Sequence, residues 1–328
     1  MRADVLILGQ GLAGTLLAWE LERAGLSFEI VDHGHATATT SAAAGIINPI
    51  TGLRLAKSWR FEEYFPIAQA SYQALEHELG KSLWHPMRMR RIFADKRERA
   101  AAAGPERRAE LSAFIESADD EGWWIRGVAR VDLDTLLSAS RERWAMKGKL
   151  RTETMDVERA HSDHDVVIDC RGVVGARSPL FEFVRWEASK GEVLELKIDG
   201  LDPGVILNRR IWITPVSGST ALAGATHNPG VWNTLATPEG RTSIETAVRE
   251  ILAPRHPFSV TGHRVGVRVN LPSKRPVAGR HPDRRNLGIV NGLGGKGALW
   301  APVLAQQWVN HLAMGAAFDP EIDVLRFL

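Results

Sequence analysis

The segment that most constrains this chain is Gly9-Gln10-Gly11-Leu12-Ala13-Gly14. It follows the apolar run Val5-Leu6-Ile7-Leu8 and precedes the helix-like Leu16-Leu17-Ala18-Trp19-Glu20-Leu21. A strand that turns sharply into a helix needs Gly9 at the turn, Gly11 where the backbone approaches a pyrophosphate, and Gly14 where helix and strand pack closely. The helix start then offers free N–H groups and the positive end of its dipole to phosphate. Gly25 is a fitting stop for this helix, and the next strand, Phe28-Glu29-Ile30-Val31, ends in Asp32, at the distance expected of a ribose-binding carboxylate. Glycine spacing alone would say little in a chain with 30 glycines. Strand, loop, helix, strand and acid in that order read as a dinucleotide-binding unit.

A second glycine loop, Asn291-Gly292-Leu293-Gly294-Gly295-Lys296-Gly297, lies near the other end of the sequence. It opens another helical run, with Trp300, Leu304, Trp308 and Leu312 on one stripe. A nicotinamide-binding domain has no need of this loop. A dinucleotide gripped at one end by the start of the chain and at the other by its end explains both.

The 328 residues suffice for two domains or one elaborate one, and 44% hydrophobic with 24% charged is ordinary for a globular protein. A net charge of +2 does not by itself imply nucleic acid or a membrane. No apolar run reaches the roughly 20 residues that span a bilayer. Asp4 interrupts the first apolar segment, so a cleaved leader is not expected. The single cysteine, Cys170, excludes an internal disulfide and a cysteine metal cluster, and it fits a reducing cytoplasm. Eleven tryptophans can serve as core filling or as aromatic ligand surfaces.

Periodicity predicts helices from about Phe61 to Leu79, from Asp132 to Lys147 and from Thr242 to Leu252, with charged, exposed helical pieces between Lys96 and Ile115. The pattern is strand-like around Met87 to Phe93. Val166-Val167-Ile168-Asp169 suits a central parallel strand. Short apolar bursts from Val193 to Ala225 suit a mainly antiparallel sheet. The parallel-type elements fall in separate blocks, so two interleaved domains are expected in an α/β (α+β overall) fold. Residues 1–80, 128–180 and 258–328 form the doubly wound, dinucleotide-binding part; 81–127 and 181–257 form a substrate part on the antiparallel sheet.

Several segments, in order and spanning nearly the whole chain, resemble the D-amino-acid oxidase and glycine oxidase family of flavoproteins. They are the Gly9 loop, Thr40-Ser41-Ala42-Ala43-Ala44-Gly45, Val167-Ile168-Asp169-Cys170-Arg171-Gly172, Lys190-Gly191-Glu192 and Gly224-Ala225-Thr226. Gly266-Val267-Arg268, Pro276-Val277-Ala278-Gly279-Arg280-His281-Pro282 and the second glycine loop with Ala301-Pro302 complete the set. The closing loop is most similar to the flavin domain of bifunctional enzymes that modify tRNA wobble uridines. Three departures stand out: Asp32 where a glutamate is commoner, a bulky Arg171, and a basic turn, Ser273-Lys274-Arg275.

The resemblance implies non-covalent FAD and oxidation of a C–N bond by hydride transfer, with oxygen or another acceptor reoxidising the flavin. It places Gly9, Gly11, Leu12, Ala13, Gly14, Ser41 and Ala42 at the pyrophosphate and Asp32 with His33 at the ribose. Gly45 to Asn48 run past the flavin ring, Cys170 and Gly172 lie beside the cofactor, and Gly292, Gly294, Gly295, Lys296 and Gly297 meet the pyrimidine edge. Lys296 at a helix start would stabilise negative charge on the reduced flavin or else lie in solvent. Arg268, between two valines on a strand, must face solvent or find an anion, and the family points to a substrate carboxylate. Arg264 is the reserve for that role; Trp212, His227 and Asn48 are pocket candidates, core packing being the alternative for the first two. His33 and His35 beside Asp32 read as structural or solvated. No metal site or hydrolytic nucleophile is expected. Two other functions are compatible: a tRNA-modifying flavoenzyme acting on a carboxymethylamino group, and a flavin-holding subunit with no turnover.

Overall fold

Five consecutive strand ends create the edge on which everything else is mounted. A computed structural model describes residues 5–34, 38–52, 54–154, 164–252 and 256–328. In its parallel sheet Val5–Leu8 lies at the centre, flanked in register by Phe28–Asp32 and Val166–Asp169. Leu287–Asn291 adds on beyond Val166–Asp169, and Leu150–Thr152 beyond Phe28–Asp32, all five parallel. Only Val277–Arg280 runs the other way, at the edge. The first and last glycine loops therefore leave the same carboxyl edge, two strands apart. That edge is where open α/β sheets bind ligands.

The central strand is buried at all four residues, as is Val166–Asp169, which is why both sequences are continuously apolar until their ends. Two long helices cover one face. The first, Leu12–Arg23, packs against the last, Gly297–Met314, and both bury tryptophans, Trp19 and Trp308. Trp308 fits because Gly288 has no side chain: a Cβ there would stand 2.2 Å from the indole. A third helix, Phe61–Leu79, as the periodicity predicts, packs on the last.

The larger sheet is mainly antiparallel, running Asn228–Pro229, Glu187–Ile198, Thr220–Gly224, Ile211–Ser217, Val205–Arg209, Trp84–Ile92, Gly122–Val131 and Ile46–Ile47. Val205–Arg209 and Trp84–Ile92 join in parallel, the one such pair in this sheet among the described residues. Phe258–Asn270 departs from expectation. Placed by the sequence reading with the parallel sheet, it pairs along its whole length with Glu187–Ile198 in the antiparallel one. Residues 128–131 likewise belong to Gly122–Val131 of the larger sheet. Local apolar patterning does not distinguish which sheet completes a strand's hydrogen bonds; the partner does. The helix expected from Thr242 begins earlier, at Pro238, and packs on the larger sheet.

The first glycine loop is as tight as its spacing suggests. A Cβ on Gly14 would lie 1.9 Å from the carbonyl oxygen of Gly9, so strand and helix approach through bare backbone. Gly14→Ala should lower stability by at least about 1–3 kcal/mol, because backbone cannot move aside as a side chain can. A thermal midpoint equal to that of the unmutated protein would show that the turn yields.

Candidate active site

The first helix begins at Gly11 without a side-chain cap from that residue and with no acid in its first turn. Its Leu12 N–H donates to the Thr40 hydroxyl at 3.2 Å. Among the described residues a Cβ on Gly11 would meet only that hydroxyl, at 3.6 Å, so they leave the space over the helix start otherwise open. Open space, free N–H groups and a positive dipole end suit a pyrophosphate. Asp32, buried at the end of its strand, accepts from the N–H of Gln10 at 2.9 Å and of Gly34 at 2.7 Å, and pairs with Arg141 at 2.9 Å. Burial alone would raise its pKa; these donors outweigh burial and hold it below the ordinary carboxylate value. His33 is exposed beside it, and His35 lies outside the described residues.

Thr39–Ala42 forms a short 3₁₀ turn pinned to the long strand of the other sheet. Thr39 donates to the Val267 carbonyl at 2.7 Å, and Arg264 donates to that of Ser41 at 2.9 Å. Gly45, at φ +68°, passes so close to Val131 that a Cβ would fall 2.0 Å from its carbonyl oxygen. On the far side, Asn291 donates to the Gly172 carbonyl at 2.8 Å, tying the second glycine loop to the turn after Cys170. Arg171 does not crowd that turn, because its side chain folds back on buried Asp169. Cys170 itself is buried, and burial with Asp169 nearby pushes its thiol pKa well up.

The last helix starts at Lys296, again without a side-chain cap or an acid in its first turn. A Cβ on Gly297 would lie 3.2 Å from Leu12, so the two helix starts converge. Beside them is a cavity of about 340 Å³. Ile46, Ile47, Asn48, Met89, Trp212 and Leu299 line it, together with the cations Arg91, Arg210, Arg268 and Lys296; no acid is in the lining. Arg268 makes one guanidinium hydrogen bond among the described residues, to the Thr226 carbonyl at 3.3 Å. Gly191 makes room for it, since a Cβ there would be 2.4 Å from Nη2. Burial lowers the pKa of both Arg268 and Lys296, the expected effect of desolvating a cation with no acid beside it.

Arg268, Lys296, Trp212, Asn48 and Gly295 thus meet at one cavity. Two sequence candidates do not. Arg264 is engaged by Glu195 and by Asp134 at 2.7 Å, and it tethers the Ser41 turn instead of lining the cavity. His227 is exposed and bonds Ser189 at 2.7 Å. Sequence reading missed Thr40, Arg141, Asn208 and Arg210. Thr40 stood inside a quoted motif, whereas Arg141 reaches Asp32 across 109 positions, with no local signal. The basic turn is largely spoken for, with Lys274 paired to Glu187 and Arg275 to Glu321.

Residues 4–310 match the family of FAD dependent oxidoreductases. The chain belongs to that family. Among curated relatives, the tRNA 5-methylaminomethyl-2-thiouridine biosynthesis bifunctional protein MnmC of Maricaulis maris is 28% identical over 331 residues. That match takes in 95% of this chain and 52% of the relative, so the chain spans about half its length; with the Marinobacter nauticus protein of the same name the share is 56%. In structure it is similar to glycine oxidase from Geobacillus kaustophilus, with a TM-score of 0.77, 21% identity and 97% of each chain covered. Iminodiacetate oxidase from Chelativorans sp. BNC1 follows at 0.74, 23% identity and 97% of each chain. Among the described residues no helix is long and apolar enough to cross a membrane, and no cluster of ligands suits a metal ion. The family implies FAD, and the open Gly11 start, buried Asp32 and converging helix starts fit it.

A side chain on Gly11 would enter that open space without touching the protein core. Gly11→Val should therefore leave the thermal midpoint of the FAD-free protein nearly unchanged while abolishing FAD binding. A yellow, stoichiometrically loaded variant would remove the pyrophosphate from this loop.

Proposed function

We propose that this FAD-dependent enzyme oxidises the C–N bond of a small amino acid or related amine whose carboxylate is held by Arg268. One observation carries the reading: a half-buried guanidinium with no acidic partner among the described residues, on the lining of a cavity beside the two helix starts. A planar fork of N–H donors binds a carboxylate in two-pronged fashion, fixing orientation as well as charge. The names of the structural relatives, glycine oxidase and iminodiacetate oxidase, agree with it.

When bound, FAD would accept the electrons that leave the substrate carbon as hydride. The protein's share is placement. Trp212, Met89, Ile47 and Leu299 present apolar surface that excludes water from the reacting carbon. Lys296, at the start of the last helix, adds a positive charge where the second glycine loop would face the cofactor. Non-covalent attachment fits the buried, unreactive thiol of Cys170. The absence of a cysteine pair and of a long apolar helix among the described residues accords with a cytoplasmic enzyme.

The curated relatives support a second reading, in which the carboxylate belongs to a carboxymethylamino group on tRNA. It predicts affinity that falls steeply with salt. The pairing of Lys274 and Arg275 leaves that turn little charge for phosphates, so we favour the small substrate. A flavin-holding subunit without turnover would show no anaerobic bleaching by any amine.

Arg268→Ala should keep FAD bound and weaken apparent affinity for carboxylate substrates roughly tenfold to over a hundredfold, the scale of about 1.5–3 kcal/mol for a charged hydrogen bond. Arg268→Lys should rescue only partly, and uncharged amines should be little affected. Equal losses for acids and uncharged amines, in steady-state kinetics, would make Arg268 structural.

Lys296→Met should lower the flavin midpoint potential by an amount reflecting about 1–3 kcal/mol. Because burial depresses the lysine's pKa, the effect should fade as pH rises, and at a lower pH than an ordinary lysine would require. A midpoint potential that stays constant in the variant assigns Lys296 to solvent.

A further inference from the structure

Asp32 ends its strand where an adenosine ribose is expected, yet it is the better-covered half of an ion pair. The N–H groups of Gln10 and Gly34 and the guanidinium of Arg141 already donate to its carboxylate. The Asp32 side chain is 7% exposed and that of Arg141 23%, so the guanidinium is the more open member of the pair. Besides Asp32, Arg141 donates at 2.9 Å to the amide oxygen of Gln10 and at 2.9 Å to the hydroxyl of Thr152. Nη1 is thereby used up, and Nη2 is half used. A guanidinium carries five N–H donors, so Nε–H and one Nη2–H are left with no partner among the described residues.

The acceptors place this guanidinium across the carboxyl edge of the parallel sheet. Gln10 follows Val5–Leu8 in the first glycine loop, Asp32 ends Phe28–Asp32, and Thr152, paired with Asp32, ends Leu150–Thr152. Arg141 reaches the edge from the helix Leu133–Met146. Its neighbours on that helix are anchored: Gln10 donates through Nε2 to the Leu137 carbonyl at 3.1 Å, and the Trp19 indole donates to Ser140 at 2.8 Å. Arg141 can only donate and the Leu137 carbonyl can only accept, so the Gln10 amide has one orientation. These bonds hold the guanidinium in place without help from a ligand. Its charge matters as well. Asp32 alone would set a negative charge beside the place for a pyrophosphate, and Arg141 cancels it.

We propose that Arg141 is a cofactor-binding residue whose remaining N–H groups donate to the hydroxyls of the adenosine ribose, alongside the acceptor offered by Asp32. A ribose hydroxyl both donates and accepts; an acid–arginine pair answers both halves, whereas a lone carboxylate answers one. Aspartate is a methylene shorter than glutamate, and the Asp32 carboxylate is drawn back onto the N–H groups of Gln10 and Gly34. The arginine supplies the reach that the acid lacks. This reading concerns the dinucleotide only and is independent of Arg268 as carboxylate anchor.

The probes are FAD and the flavin dinucleotide that lacks both hydroxyls on its adenosine ribose. Dissociation constants for each are read by equilibrium dialysis of the loaded enzyme, from the flavin absorbance on the two sides. Loss of the hydroxyls should weaken binding to the unmutated protein about tenfold. Arg141→Met should weaken FAD about tenfold, the low end for a hydrogen bond to a charged group because the pair is partly exposed. The same change should leave the affinity for the hydroxyl-free dinucleotide nearly as it was. Arg141→Lys keeps the charge without the fork, so it should restore part of the FAD affinity and alter nothing for the other probe. Equal losses for both dinucleotides in Arg141→Met would mean that the arginine only braces Gln10 and Asp32, which overturns the proposal. Undiminished FAD affinity in that variant overturns it too. If Arg141→Met does not fold, Arg141→Lys carries the comparison: a loss confined to FAD supports the contact, and a loss shared by both probes overturns it. Failure here leaves the pyrophosphate site and Arg268 standing, because Gly11→Val and Arg268→Ala report on those separately.

Discussion

The close approach of two helix starts at one sheet edge is the constraint on which the rest of this structure depends. Leu12 of the first helix and Gly297 of the last are separated by no more than a missing methyl group. Their dipoles therefore converge on one volume, where their fields add. That convergence requires the last strand, Leu287–Asn291, to sit two places from Val5–Leu8, with Val166–Asp169 between. It also requires each strand-to-helix turn to be made of bare backbone, as at Gly14. A side chain at any of these approaches would push one helix outward and split the anion site in two.

Glu187–Ile198 shows how the fold treats buried charge on its two faces. Glu192 points toward the covering helix, and there its charge is met by Lys190 at 3.0 Å and by the Thr237 N–H and hydroxyl. On the other face, Gly191 gives up its side chain to Arg268, which no acid among the described residues compensates. Leaving a guanidinium desolvated and unpaired costs stability. An anion entering the cavity would offset that cost. One strand thus carries a paired carboxylate on one face and, on the other, makes room for a guanidinium that meets no acid among the described residues.

The two sheets are not independent modules. The Thr39–Ala42 turn belongs by its position to the dinucleotide site, yet it hangs from the antiparallel sheet through Val267 and Arg264. Phe258–Asn270 consequently carries both the tether of the cofactor loop and, four residues on from Arg264, the candidate substrate anchor. A shift of that strand would move both together, which keeps the two binding regions in register.

How much of this was legible before folding varied with the range of the physics. Local rules sufficed for the Gly9 loop, the Asp32 strand end, the Phe61–Leu79 helix and the second glycine loop, because turn sterics, periodicity and helix dipoles act over a few residues. Those same rules placed Arg268 and Lys296 as charges in need of an explanation. They failed for Phe258–Asn270, whose sheet is chosen by a partner far away in sequence, Ser189 opposite Arg268 being 79 positions distant. They failed equally for Arg264, whose acids lie 69 and 130 residues distant, and for Arg141 and Arg210, whose surroundings exist only once strands pair. The sequence by itself determined which residues could turn, cap and bind phosphate. Only the tertiary structure decided which cations find acids and which are left open to a ligand, because that depends on distances no local pattern encodes.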